Sequence, residues 1–161
     1  MAGKTEEKST KSNTRININS MLVGVATTVL FIIASINQDI LKKDFWLTMQ
    51  LVLVTPLLIT SSLAYSKLGY KKEGKRWNTF AWICFVIGFA FMINATAILM
   101  SFLGLPLIGI LLIFVNLLLT TVYAIFDHKY GDGSISEEIT KYFLFFIVQI
   151  VLGIGVIFNW I

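Results

Sequence analysis

The residue pair best suited to acid–base chemistry is Asp127 and His128, which are adjacent and follow a long apolar run. A carboxylate beside an imidazole can act as a general base. His128 is the only histidine, however, and His-rich metal sites need several. The single cysteine, Cys84, lies inside an apolar run, where we expect it to pack. We therefore expect no metal or other cofactor. The lack of GxxxxGK[ST] and GxSxG motifs also disfavours an enzyme.

Neutral amides are the most polar groups within the apolar runs. Asn94, Asn116 and Gln149 lie near the middle of their runs, and Gln50 lies nearer one end. A primary amide that faces lipid leaves donors and acceptors unsatisfied, so these side chains must meet protein or water. Two interpretations stay open. In the first, the amides join neighbouring helices. In the second, they belong to the lining of a pore or ligand site together with two polar residues of the run that contains Asn116, and the full set is Asn94, Asn116, Thr120, Tyr123 and Gln149.

A basic loop separates two of the apolar runs. It spans residues 67–76 and carries five of the thirteen Lys and Arg residues. Cations near a membrane surface attract anionic lipid head groups by about 1 kcal/mol each. We expect such lipid contacts at four of them: Lys71, Lys72, Lys75 and Arg76.

The elements that position these residues are membrane-spanning helices. Hydrophobic residues make up 57% of the chain, charged residues only 14%, and the mean hydropathy is +0.81. Runs of about 20 uncharged residues match the thickness of a bilayer. Gly104-Leu-Pro106 divides the longest run, because Pro favours the first turn of a new helix. The sequence predicts an all-α, polytopic integral membrane protein, a bundle of five transmembrane helices over residues 16–38, 45–66, 77–103, 105–126 and 142–161.

Small residues predict which faces of these helices contact protein. Helices in membranes approach closely where their side chains are small. The third predicted span has small residues on two faces, so we expect it to be central in the bundle. The first has a single narrow arc that we expect to face protein, while its larger apolar residues face lipid: Asn17, Ser20, Gly24, Thr28 and Ser35.

The cations also predict orientation, because Lys and Arg accumulate on the cytoplasmic side. With five spans, residues 1–15, 67–76 and 127–141 share one side and hold eleven Lys and Arg residues, against two on the other side. This predicts a cell-membrane protein with a cytoplasmic N-terminus and an extracytoplasmic C-terminus. Residues 1–15 lack apolar content, so we expect a disordered tail before a transmembrane domain over 16–161. Topology explains the net charge of +4 without a nucleic-acid partner.

Three functions fit this architecture. We favour a non-catalytic module that acts by association in the membrane, with itself or with another membrane protein, and through its basic cytoplasmic face. The first alternative is a channel or facilitator for ions or small neutral solutes, lined by Asn94, Asn116 and Gln149. The second is a lipid-modifying enzyme that uses Asp127 and His128.

Overall fold

The computed structural model describes residues 2–36, 38–67, 74–130 and 135–158, with side chains over 12–35, 38–67, 76–126 and 142–158. Every element in these ranges is helical, and they follow one another as α1 (Ala2–Ile36), α2 (Gln38–Lys43), α3 (Phe45–Lys67), α4 (Gly74–Phe102), α5 (Pro106–Tyr130), α6 (Ile135–Gln149), a π-helical turn (Ile150–Ile154) and α7 (Gly155–Ile157). Four helices are long and apolar enough to cross a membrane, and the apolar segment Tyr142–Ile157 is shorter. The prediction of an all-α membrane bundle is confirmed.

The predicted break between the third and fourth spans is a tight helical hairpin. Gly104 adopts a positive φ of 79°, a conformation that costs glycine little. The Gly104 N–H donates to the Ser101 carbonyl, and the Leu105 N–H donates to the Met100 carbonyl. This pair of bonds is the Schellman arrangement that ends a helix. Pro106 then begins α5, where its missing N–H costs nothing.

The turn between α2 and α3 is closed by side chains. The Asp44 carboxylate accepts a hydrogen bond of 2.7 Å from the Leu47 N–H, which satisfies a free donor in the first turn of α3. The Thr48 hydroxyl donates to the Leu41 carbonyl at 2.6 Å. Both bonds hold α2 against the start of α3.

Helix α4 is the centre of the bundle, as the sequence predicted. Half of its spanning window is buried, against 39% for α3, 17% for α1 and 11% for α5. It contacts α1, α3, α5, α6, the π-helical turn and α7. Its small residues serve two sides: the Cα of Gly88 faces the Leu58 side chain of α3, and Ala97 faces Gly109 of α5. Close approach on both sides requires small side chains at these positions.

Helix α1 differs from the prediction in two respects. It begins at Ala2, so residues 2–15 continue the first helix where we expected a disordered tail. That segment contains no Pro and several good helix formers, which permits the extension. The predicted protein-facing arc also does not face the chain's own helices, because its residues are all exposed: Asn17, Ser20, Gly24, Thr28 and Ser35. The residues that α1 buries against α3 and α4 are Asn19, Ala26 and Ile33.

Candidate functional site

Helices α4 and α6 run parallel, and two contacts set their register. The rings of Trp82 and Tyr142 meet edge to face, with centroids 6.1 Å apart. The Gln149 side-chain amide donates to the Ala90 carbonyl at 3.5 Å. The two residues of each pair are about sixty positions apart in the sequence. A residue of α4 therefore lies beside the residue of α6 whose number is about sixty higher.

Helix α5 runs antiparallel to both. A Cβ at Gly109 would overlap the carbonyl oxygen of Ala97, so these two backbones are in contact. Deeper in the bundle, a Cβ at Gly153 would lie 2.5 Å from Asn94 Oδ1 and 2.9 Å from Ile113 Cδ1. Asn94, Ile113 and Gly153 therefore share one level, in the contact between α4, α5 and the π-helical turn.

One turn from Asn94 towards the start of α4 lies the level that we call the amide layer: Ala90, Asn116 and Gln149. Leu117, the neighbour of Asn116, packs on the buried cluster that contains Ala90, which places Asn116 at this level. Gln149 reaches it through its hydrogen bond to Ala90. Asn116 and Gln149 thus lie at one level of the bundle, and Asn94 lies one turn away.

The amides also hold the π-helical turn. Such a turn pairs each N–H with the carbonyl five residues earlier, as Gly155 does with Ile150, and leaves nearby carbonyls short of their usual donors. The Asn94 amide donates to the Val148 carbonyl at 3.1 Å. From the other side, Gln50 of α3 donates to the Leu152 carbonyl at 3.0 Å. These two bonds fix the irregular segment to α3 and α4.

Each amide keeps one buried polar atom without a hydrogen-bond partner among the described residues. These atoms are Oε1 of Gln50, Oδ1 of Asn94, Nδ2 of Asn116 and Oε1 of Gln149. Three are acceptors and one is a donor. Buried polar atoms are nearly always paired, commonly by ordered water where no protein group reaches them.

Next to the amide layer, towards the start of α4, lies an aromatic cavity of about 240 Å³ between α4, α5 and α6. Nine residues line this cavity, and six of them are aromatic: Trp82, Phe85, Val86, Phe89, Leu119, Thr120, Tyr123, Tyr142 and Phe145. Its walls are almost entirely apolar. Val86, Thr120 and Phe145 lie about one turn from the amide layer, which adjoins the cavity without lining it.

The predicted lining residues all lie on this contact between α4, α5 and α6. Thr120 and Tyr123 line the aromatic cavity, Asn116 is half-buried, and Asn94 and Gln149 are fully buried. Their role as the lining of a pore or ligand site stays a prediction. The hydrogen bonds of Asn94 and Gln149 to neighbouring helices show that they also join those helices.

The other predicted site residues give less information. Arg76 is exposed at the start of α4. The side chains of Lys71, Lys72 and Lys75 lie outside the described residues, and so do those of Asp127 and His128. Lipid contact through the basic cations and acid–base chemistry by the Asp–His pair stay predictions.

Sequence reasoning missed a second polar network, between α1, α3 and α4. The Asn19 amide donates to the Ser61 hydroxyl at 3.0 Å, and that hydroxyl donates to the Ala81 carbonyl at 2.7 Å. At one end of this network, Arg15 donates to Asn78 at 2.9 Å. Asn19 lies about 200° around the helix from Asn17, on the opposite face. The sequence therefore offered two amides on opposite faces of α1, and the buried one is Asn19.

No protein-family description, curated protein or solved structure matches this chain. Its helices make it an all-α protein embedded in a membrane.

Proposed function

We propose that this chain is a membrane module that acts by association, and that α1 pairs with α1 of a second copy. The observation that carries the proposal is the exposed face of α1. Five residues lie on this face and are exposed: Asn17, Ser20, Gly24, Thr28 and Ser35. Lipid offers no partner to polar side chains, whereas a second helix can provide both packing and hydrogen bonds.

The spacing on this face fits a second copy. Ser20, Gly24 and Thr28 follow one another at intervals of four residues, the small-xxx-small pattern by which two helices approach closely in a membrane. A Cβ built at Gly24 meets nothing within 4 Å, so the groove is open. Two identical grooves related by a two-fold axis are complementary to each other. Met21 and Phe31, both highly exposed, provide ridges beside the groove.

The basic loop supplies the second part of the proposal. With eleven Lys and Arg residues on the side of residues 1–15, 67–76 and 127–141, we place that side in the cytoplasm and the protein in the cell membrane. Pairing through α1 brings two basic loops to one membrane surface. Anionic lipid would then collect around Lys71, Lys72, Lys75 and Arg76 of both copies.

Cysteine cross-linking in liposomes tests the pairing. In a Cys84→Ala background, Ser20→Cys places a thiol on the proposed interface, and Thr121→Cys places one on the exposed face of α5. Both replace an exposed hydroxyl several residues from the cytoplasmic end of a span. We expect Ser20→Cys to form a disulfide-linked dimer much faster, and added lipid to slow only Thr121→Cys. Equal rates for the two variants would contradict the proposal.

A facilitator is the second candidate, favoured by two cavities at opposite ends of α4. Besides the aromatic cavity, one of about 210 Å³ is lined by residues near the other end of the bundle: Asp44, Ile98, Ser101, Phe102, Val156 and Ile157. Asn94 and the amide layer lie between the two. The contact of Gly153 with Asn94 lies between the cavities in this conformation, so transport would require the π-helical turn and α4 to move apart.

Solute flux tests this candidate. Liposomes with the purified protein are compared with empty liposomes over a panel of ions and small neutral solutes. Asn116→Leu is the matched variant, since the Nδ2 of Asn116 bonds to no described residue. Flux that changes in Asn116→Leu supports a lined path, and absence of flux above the empty liposomes removes the candidate.

A further inference from the structure

The second cavity, at the end of the bundle opposite the basic loop, combines a carboxylate with apolar walls. Its volume is about 210 Å³, and an apolar cavity of about 150 Å³ already accepts benzene. Its polar lining consists of Asp44, which precedes α3, and Ser101, in the last turn of α4. The other four lining residues are apolar: Ile98, Phe102, Val156 and Ile157. The cavity therefore has room for a single ring with a short polar arm.

One oxygen of the Asp44 carboxylate is available to a ligand. Its Oδ1 accepts a hydrogen bond from the Leu47 N–H at 2.7 Å, and no described residue bonds to Oδ2. The neighbouring cations do not neutralise this carboxylate: Lys42 pairs with Asp39 at 3.6 Å, and Lys43 is exposed and forms no ion pair with a described residue. A carboxylate has about four acceptor positions, so Asp44 can accept from a further donor.

The surroundings of this carboxylate favour a positive charge. Ser101 and Phe102 lie in the last turn of α4, where the helix dipole places partial negative charge. The Ser101 hydroxyl bonds to no other described residue, so it can accept a hydrogen bond from a ligand. Among the described residues, Asp44 is the only charged one that lines the cavity. A neutral or anionic ligand would leave this carboxylate without a counter-charge.

We propose that this cavity binds a protonated primary amine with a single-ring body. The ammonium would donate to Asp44 Oδ2 and to the Ser101 hydroxyl, and a primary ammonium has three N–H donors for such bonds. The ring would lie against Ile98, one turn deeper along α4, and against Val156 of α7. A hydrogen bond between two ionised groups is about twice as strong as a neutral one. The inference depends neither on pairing through α1 nor on transport.

A free amine fits this cavity better than a lipid head group that carries the same ammonium. In phosphatidylethanolamine, a short linker joins the ammonium to a phosphate. This head group would bring an anion close to Asp44 and to the C-terminal end of α4, where negative charge is unfavourable. It would also leave the apolar walls without an apolar partner.

Fluorine NMR with two matched probes tests the proposal, with the full-length protein in nanodiscs of phosphatidylcholine. 4-Fluorobenzylamine is a cation at neutral pH, and 4-fluorobenzyl alcohol has the same ring and a similar arm without the charge. We expect saturable binding of the amine beyond its uptake by empty nanodiscs, about tenfold tighter than that of the alcohol, as a hydrogen bond to a charged group provides. Equal saturable binding of both probes overturns the proposal, and so does the absence of saturable binding.

A second set of nanodiscs separates the two sources of the ammonium. Phosphatidylethanolamine is added to the bilayer, and the binding of 4-fluorobenzylamine is measured again. We expect it to be unchanged. A head group that occupied the cavity would abolish binding of the probe, and this result would overturn the assignment to a free amine.

Three variants locate the site. Asp44→Asn removes the charge and keeps an oxygen for the Leu47 N–H, because Asn is an equally good N-cap; we expect it to bind both probes equally. The matched control Asp39→Asn removes a carboxylate of α2 that lies outside the cavity, so amine binding should stay unchanged. Ser101→Phe fills the cavity from a half-buried position and should bind neither probe. Amine binding that survives in Asp44→Asn or in Ser101→Phe, or that falls equally in Asp39→Asn, would refute the assignment.

Discussion

The contact between α4 and α5 at Gly109 can be tested by adding one methyl group. In Gly109→Ala, the new Cβ would overlap the Ala97 carbonyl oxygen and lie 3.1 Å from its carbonyl carbon. A backbone carbonyl cannot rotate away as a side chain can, so α4 and α5 must separate. The matched variant is Gly24→Ala on α1, where a Cβ meets nothing within 4 Å.

The difference between these two variants isolates the cost of packing. Replacing Gly by Ala within a helix favours the helix by up to about 1 kcal/mol, and this gain is common to both. Overpacking costs about 1–3 kcal/mol, and only Gly109→Ala incurs it. We therefore expect Gly109→Ala to be less stable than Gly24→Ala by about 1–3 kcal/mol. The assay is unfolding by SDS in mixed micelles, at a dilution where the chain is monomeric. Equal unfolding midpoints would refute the contact of α4 with α5 through these residues.

Two further predictions concern polar groups. Ser61→Ala removes the hydroxyl between Asn19 and the Ala81 carbonyl, so the free energy of unfolding should fall by about 1–2 kcal/mol. The control Ser62→Ala removes only a bond within α3 and should change this free energy little. Equal losses in the two variants would show that the bonds between helices add nothing to stability. Replacing Lys71, Lys72, Lys75 and Arg76 by Gln should lower the amount of anionic lipid that copurifies with the protein. The physical reason is that each cation near the surface contributes about 1 kcal/mol to the binding of anionic lipid. The wild-type enrichment should also fall as salt is added, and an enrichment that does not respond to salt would argue against the basic loop.

The bundle could be predicted from the sequence because it depends on length and charge alone. Runs without charge reach the thickness of a bilayer, and Gly104 with Pro106 marks the hairpin by backbone chemistry that needs no tertiary context. The central place of α4 followed from small residues on two of its faces. These features act locally, and the structure has them where the sequence placed them.

The partners of the helix faces could not be predicted in the same way. Small residues indicate close approach, but they do not say whether the neighbour belongs to the same chain. On α1 this ambiguity mattered, since α3 packs on Asn19 and Ala26 and leaves Gly24 exposed. The π-helical turn was also missed. Its formation depends on Asn94 and Gln50, which reach carbonyls of α6 and of the turn from other helices.

The candidate site was predictable as a set of residues but not as a shape. Polar residues on one stripe of α5 indicated Asn116, Thr120 and Tyr123. Thr120 and Tyr123 line the aromatic cavity while Asn116 does not, and this division depends on the register of α5 against α4 and α6. That register is determined by the contacts at Gly109 and Gly153, which no single helix reveals.

The most direct test of association is to count the subunits of labelled protein in liposomes by stepwise photobleaching as the protein is diluted with lipid. We expect the wild-type protein to remain dimeric at dilutions where Gly24→Ile is monomeric. Since a side chain at Gly24 meets no atom of its own chain within 4 Å of the Cβ, this variant should keep the monomer fold. Val122→Phe, which adds bulk to the exposed face of α5, should remain dimeric. A monomeric wild-type protein, or a Gly24→Ile variant that stays dimeric, would contradict pairing through α1.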